Sequence, residues 1–115
     1  MAGNPIDVAT FEQLQESTDA EFVAELLQAF LDDAPPLLRV LRNAQAVGDA
    51  TAFRRAAHSL KSNANAFGAI EFSSLARALE ETGLEALGDK VISALDNLEA
   101  AYASAASALQ ALCHG

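Results

Sequence analysis

The chain predicts an all-α fold, an antiparallel up-and-down four-helix bundle with an additional N-terminal helix. Three observations carry this. Ala and Leu dominate a composition poor in Pro and aromatic residues, which favours helix over sheet. Apolar residues recur at spacings of three and four along nearly the whole chain. The breaks between these periodic stretches are short, and short connections make successive helices antiparallel neighbours.

The elements follow in order. Asp7 suits an N-cap, and Val8, Phe11 and Leu14 have helical spacing, so a short helix is expected over 7–16. Thr18-Asp19-Ala20-Glu21 has the form of a capping box. The helix it opens carries a wide apolar face of Phe22, Val23, Leu26, Leu27, Phe30 and Leu31. Pro35 and Pro36 interrupt it, since Pro lacks an N–H and disfavours helical geometry in the residue before it. Either the helix kinks there or a new one begins, and Leu37, Leu38, Leu41 and Ala44 continue the stripe to about Val47. Gly48 suits a stop and Asp49 the next cap. A helix over 49–67 buries Phe53, Ala56, Ala57, Leu60, Ala64 and Phe67. Gly68 ends it, as a residue that tolerates positive φ. The next helix covers about 69–82 with Phe72, Leu75, Ala76 and Leu79 inward. Gly83 and Gly88 bracket a turn. The last helix runs over about 89–112, on a seam of Val91, Leu95, Leu98, Tyr102, Ala105, Leu109 and Leu112.

With 115 residues the chain is read as a single domain, 1–115, with 1–17 as a peripheral N-terminal segment. The net charge of −9 excludes the basic surface that nucleic-acid binding requires and disfavours anionic lipid. No apolar run approaches the roughly 20 residues that span a bilayer, and no secretory signal is visible. The lone Cys113 makes no internal disulfide, which fits a reducing, cytoplasmic setting. A monomer is expected. A di-iron bundle would need Glu-x-x-His pairs on facing helices, and the sequence has none.

Helix 49–67 has a second face. Thr51, Arg54, Arg55, His58, Lys61, Ser62 and Asn65 lie together at spacings of three and four, and none is apolar. Of only seven Lys and Arg, three sit within one turn of His58. Counting back across Gly48 places Arg39 and Arg42 near the same height, and counting across Gly68 places Arg77 and Ala78 there. This suits phosphoryl transfer through imidazole. Nearby cations disfavour the protonated ring and leave a nitrogen free as nucleophile. Lys61, one turn on, can bond phosphoryl oxygens as a mobile charge. An ordinary exposed helix histidine on a solvated face fits the same spacing, and Asn63 and Asn65 also read as end-of-helix turn residues. No residue pair supplies acid–base machinery, so metal and carboxylates would come from a partner.

The segment Ala57-His58-Ser59-Leu60-Lys61-Ser62, with Gly68 ten positions after the histidine, resembles the signature of the histidine-containing phosphotransfer (HPt) family. Its core lies in 49–68. The lead-in Phe30-Leu31-Asp32-Asp33-Ala34-Pro35, then Gly48-Asp49 and Phe53-Arg54-Arg55-Ala56-Ala57, is similar as well. Ser62 departs from the Gly often found there. The resemblance implies a phosphorelay intermediate without catalytic activity of its own. His58 would accept a phosphoryl group from a phospho-aspartyl receiver domain and pass it to a response regulator receiver domain. Lys61 would steady the group and Gly68 would have a structural role. The partners implied are response regulator receiver domains and a hybrid sensor histidine kinase, with no cofactor except a metal ion brought by the receiver. A contact surface of Arg54, Arg55, Ser62 and Asn65, edged by Leu38 and Arg42, is expected around His58. An HPt-like helical adaptor that binds receivers without carrying phosphate is the competing reading.

Overall fold

The computed structural model describes residues 6–17, 20–66 and 69–114. The capping box at Thr18 and Asp19, and the helix end at Phe67 and Gly68, lie outside them. The order is α1 (Val8–Ser17), α2 (Ala20–Val47), α3 (Ala50–Ala66), α4 (Ile70–Thr82), α5 (Leu84–Leu87), a 3₁₀ turn (Gly88–Lys90) and α6 (Val91–His114). Helix α2 packs on α3, α3 on α4, α4 on α6 and α6 on α2, closing a four-helix ring, while α1 rests against α2. The 83–88 region holds a single helical turn, α5, and the last helix starts two residues later than its sequence pattern suggests.

The core is built from the expected stripes. Val23, Leu27 and Phe30 of α2, Phe53, Ala57 and Leu60 of α3, Phe72 and Leu79 of α4, and Leu95, Leu98 and Leu109 of α6 are buried. Ile6, ahead of α1, is buried with them. Phe22 departs from its expected place, being 46% exposed at the edge of the stripe. Gly48 has φ +76, the left-handed geometry that ends a helix and that side chains rarely adopt. Asp49 then caps α3, its Oδ1 accepting from the Ala52 backbone N–H at 3.1 Å.

Pro35 and Pro36 do not divide α2, which runs through both. A proline frees the carbonyl four residues before it, here those of Leu31 and Asp32. The Tyr102 hydroxyl, from α6, points at the Leu31 carbonyl oxygen at a long 3.5 Å. Burial, reinforced by the Asp32 carboxylate, raises Tyr102 above its ordinary pKa and keeps it a donor at neutral pH. The same ring packs against Phe30 and Phe72, with centroids at 5.6 and 5.8 Å. Tertiary packing from α6 thus replaces part of what the prolines remove.

Two expected contact residues turn out to face elsewhere. Leu38 is 8% exposed and belongs to the core. Arg42 faces α6, where Nε and Nη2 donate to Glu99 at 2.9 and 2.8 Å and Nη2 reaches Asp96 at 2.7 Å. The count across Gly48 gave their height but not their rotation about the helix axis. Residues 38 and 42 sit on the inward and α6-facing sides of α2.

Truncating the central aromatic should be costly. Phe72→Ala is expected to lose ~3–5 kcal/mol of unfolding free energy. Val47→Ala, at a position 78% exposed, should stay within ~0.5 kcal/mol. Denaturant melts of the two variants check this.

Candidate functional site

Helix α3 divides its residues cleanly. Ala56, Ala57, Leu60 and Ala64 are buried, and Arg54, Arg55, His58, Ser59 and Ser62 are exposed. The His58 side chain is 58% exposed, held on a rigid helix and open to an incoming protein.

The group nearest its ring is a carboxylate. Glu80 of α4 lies between His58 and Lys61, its Oε2 2.7 Å from His58 Nδ1 and its Oε1 accepting from Lys61 Nζ at 2.6 Å. The cationic surroundings expected for the imidazole are therefore corrected. Lys61 is spent on Glu80, which also limits Lys61 to 24% exposure. The hydrogen bond from Lys61, with a smaller one from His58, holds the Glu80 carboxyl below its ordinary pKa against a partly opposing desolvation. Glu80 is thus ionised at neutral pH and can only accept. That makes Nδ1 the protonated nitrogen of a neutral His58 ring, and Nε2 carries the free lone pair on a side chain that is more than half exposed.

Sequence reasoning missed Glu80. Counting across the α3–α4 turn reached Arg77 and Ala78, but both are exposed and Arg77 pairs with Glu81 at 3.0 Å on its own helix. Glu80 follows Leu79 and lies four residues after Ala76, both buried, so it borders the α3 face. An acidic residue beside the inward stripe, one turn from the counted level, was the available signal.

The remaining residues divide. Arg54, Arg55 and Ser62 share the exposed face with His58. Asn65 is also exposed but tied to α4, accepting from the Ser73 hydroxyl at 2.5 Å. It borders a polar groove of about 460 Å³ with Lys61, Ser74 and Arg77. Leu38 and Arg42 are not part of this surface. His114 falls in α6, beyond its described side chains. Among the described residues, no three His, Cys, Asp or Glu side chains are grouped to hold a metal, and no helix is long and apolar enough to cross a membrane.

The Glu80 bridge has a pH signature. A carboxyl whose folded pKa is depressed contributes stability above its unfolded pKa and loses it as pH falls through the folded value. Glu80→Gln should melt below the parent at pH 7, and the gap should shrink on acidification to about pH 3. A gap independent of pH would show that the bridge carries no ionic contribution.

The sequence model of the Hpt domain family matches residues 25–105. No curated protein sequence matched. The crystal structure of histidine-containing phosphotransfer protein B from Pseudomonas aeruginosa PAO1 aligns with a TM-score of 0.87 at 26% identity, covering 98% of this chain and 97% of that one.

Proposed function

The chain belongs to the Hpt domain family, the histidine-phosphotransfer intermediates of phosphorelays, and we propose that His58 is the residue through which it carries the phosphoryl group. The observation that supports this most is the Glu80–Nδ1 contact of 2.7 Å. It leaves Nε2, the exposed nitrogen, as nucleophile.

Nε2 attacks the phosphorus of a receiver's aspartyl phosphate, the N–P bond forms, and the P–O bond breaks with the aspartate carboxylate leaving. The ring keeps its Nδ1 proton and becomes a phospho-imidazolium, whose positive charge lies against ionised Glu80. In the return step the same proton lets the ring depart as a neutral imidazole, a better leaving group than its anion. Glu80 acts on the phosphoryl group through the ring and is a positioning residue. Lys61 swings from Glu80 toward the phosphoryl oxygens as they arrive, giving a charge-assisted hydrogen bond.

The divalent ion and the remaining carboxylates come with the receiver domain, and the chain is a carrier without catalysis of its own. In this reading it works as a cytoplasmic monomer between a hybrid sensor histidine kinase and a response regulator. Arg54, Arg55, Ser62 and Asn65 lie in the transient contact. The adaptor reading has no use for a carboxylate that sets the histidine tautomer.

Two substitutions test the assignment. His58→Gln should abolish labelling from a phospho-receiver, while His114→Gln leaves it intact. The label should be acid-labile and alkali-stable, as a phosphoramidate is, and label remaining on the His58→Gln chain would refute the site. Lys61→Ala should slow transfer roughly 10–100-fold, the equivalent of one charge-assisted hydrogen bond, with helicity retained by circular dichroism. Unchanged transfer would place Lys61 in structure alone.

A further inference from the structure

The polar groove between α3 and α4 is rich in hydrogen-bond donors and short of acceptors. Its walls, around a space of about 460 Å³, are Lys61 and Asn65 from α3 and Ser73, Ser74 and Arg77 from α4, with Ile70 at the start of α4. The buried Ser73 hydroxyl donates to Asn65 Oδ1 at 2.5 Å. That contact occupies the amide oxygen. The amide nitrogen, which only donates, has no partner among the described residues. Arg77 gives Nε to Glu81 at 3.0 Å, and the rest of its fork is unmatched among the described residues. Lys61 gives one bond to Glu80, and an ammonium has further N–H groups to give. The exposed Ser74 adds a hydroxyl.

Little on these walls opposes a negative ligand. Glu81 is the carboxylate of the groove, and its pair with Arg77 is an exposed one within a single helix, a weak kind of ion pair. Glu71, in the first turn of α4, borders a different groove, against α6. Ala69, at the cap position of α4, has no oxygen to offer the first-turn N–H groups. The positive end of the α4 dipole therefore adds to the donors at Ile70. A planar carboxylate would use few of these groups. An ammonium, a guanidinium, an amide and a hydroxyl spread over two walls suit a tetrahedral oxyanion.

We propose that this groove binds a phosphate group, free or on a small monoester, and that Lys61 is shared between it and the site at His58. The phosphate lies among Arg77, Asn65 and Ser74, displaces Glu81 from Arg77 and draws Lys61 from Glu80. The sharing rests on the phosphotransfer reading, in which Lys61 reaches the phosphoryl group on His58. An occupied groove takes that lysine away, so ambient phosphate slows the relay.

The test reads binding and transfer separately. Inorganic phosphate and, in a second arm, glycerol phosphate are titrated into ¹⁵N-labelled chain at constant ionic strength. Signals of the Asn65 side-chain amide and of Ser73, Ser74 and Arg77 should shift saturably, with Kd in the millimolar range. The probe that binds tighter identifies the source of the phosphate. Arg77→Glu should weaken binding about ten-fold or more. Arg39→Glu, the same charge change at an exposed position of α2, should bind as the parent does. With divalent ion in excess, saturating phosphate should slow transfer from a phosphorylated receiver in the parent and in Arg39→Glu, each against its own phosphate-free rate. It should leave Arg77→Glu unaffected. Shifts that stay linear, or equal weakening in the two variants, would overturn the site, because charge screening would then account for them. Saturable binding that leaves the parent's transfer rate unchanged would overturn the sharing of Lys61. A parent chain that takes no label from the receiver even without phosphate would show that the phosphotransfer reading has failed, and the titration would still decide the groove.

Discussion

The site depends on how closely α3 and α4 approach. Two short arms, a glutamate and a histidine, meet at 2.7 Å across the seam, which only closely packed helices allow. Small residues are buried on both helices, Ala57 and Ala64 on α3 and Ser73 and Ala76 on α4, and the Ser73 hydroxyl donates to Asn65 from one helix to the other. Interaxial distance follows side-chain size at the contact. The apolar core therefore does more than stabilise the bundle. Its alanines set the spacing at which one carboxylate can hold both a histidine and a lysine.

Electrostatics build on that spacing. The chain carries more than two acidic residues for every basic one, so an arginine without a carboxylate is a feature to be explained. Arg42 ties α2 to α6 on the far side of the ring, its pKa raised chiefly by the hydrogen bonds to Glu99 and Asp96. Arg77 is matched within its own helix. Among the described residues Arg39, Arg54 and Arg55 have no such match, and Arg54 and Arg55 share the face of His58. The imidazole itself has a carboxylate for its immediate neighbour. The distinction matters chemically, because the carboxylate selects which nitrogen is free, whereas cations at a distance attract the incoming anion or an acidic partner.

Helical periodicity made most of the bundle legible in the chain. Stripes at three and four, with Gly48 and Gly83 between them, located the helices within a few residues, and the polar face of α3 singled out His58 and Lys61. What could not be read was rotation between helices. Counting from a turn gives the height of a residue and says nothing of its direction, so Leu38 and Arg42 were assigned to a surface they do not reach. Glu80 was passed over for Arg77 for the same reason. Pro35 and Pro36 left kink and restart open because the outcome depends on Tyr102, more than sixty residues away in sequence. Local propensity has no access to such contacts.

The most direct measurement of the central claim is the nitrogen that bears phosphorus. With ¹⁵N-labelled histidine in the phosphorylated chain, one-bond ¹⁵N–³¹P coupling should appear on Nε2 of His58, with Nδ1 still protonated. Coupling on Nδ1, or on His114 in place of His58, would contradict it, since Glu80 would then not be holding the ring in the state described.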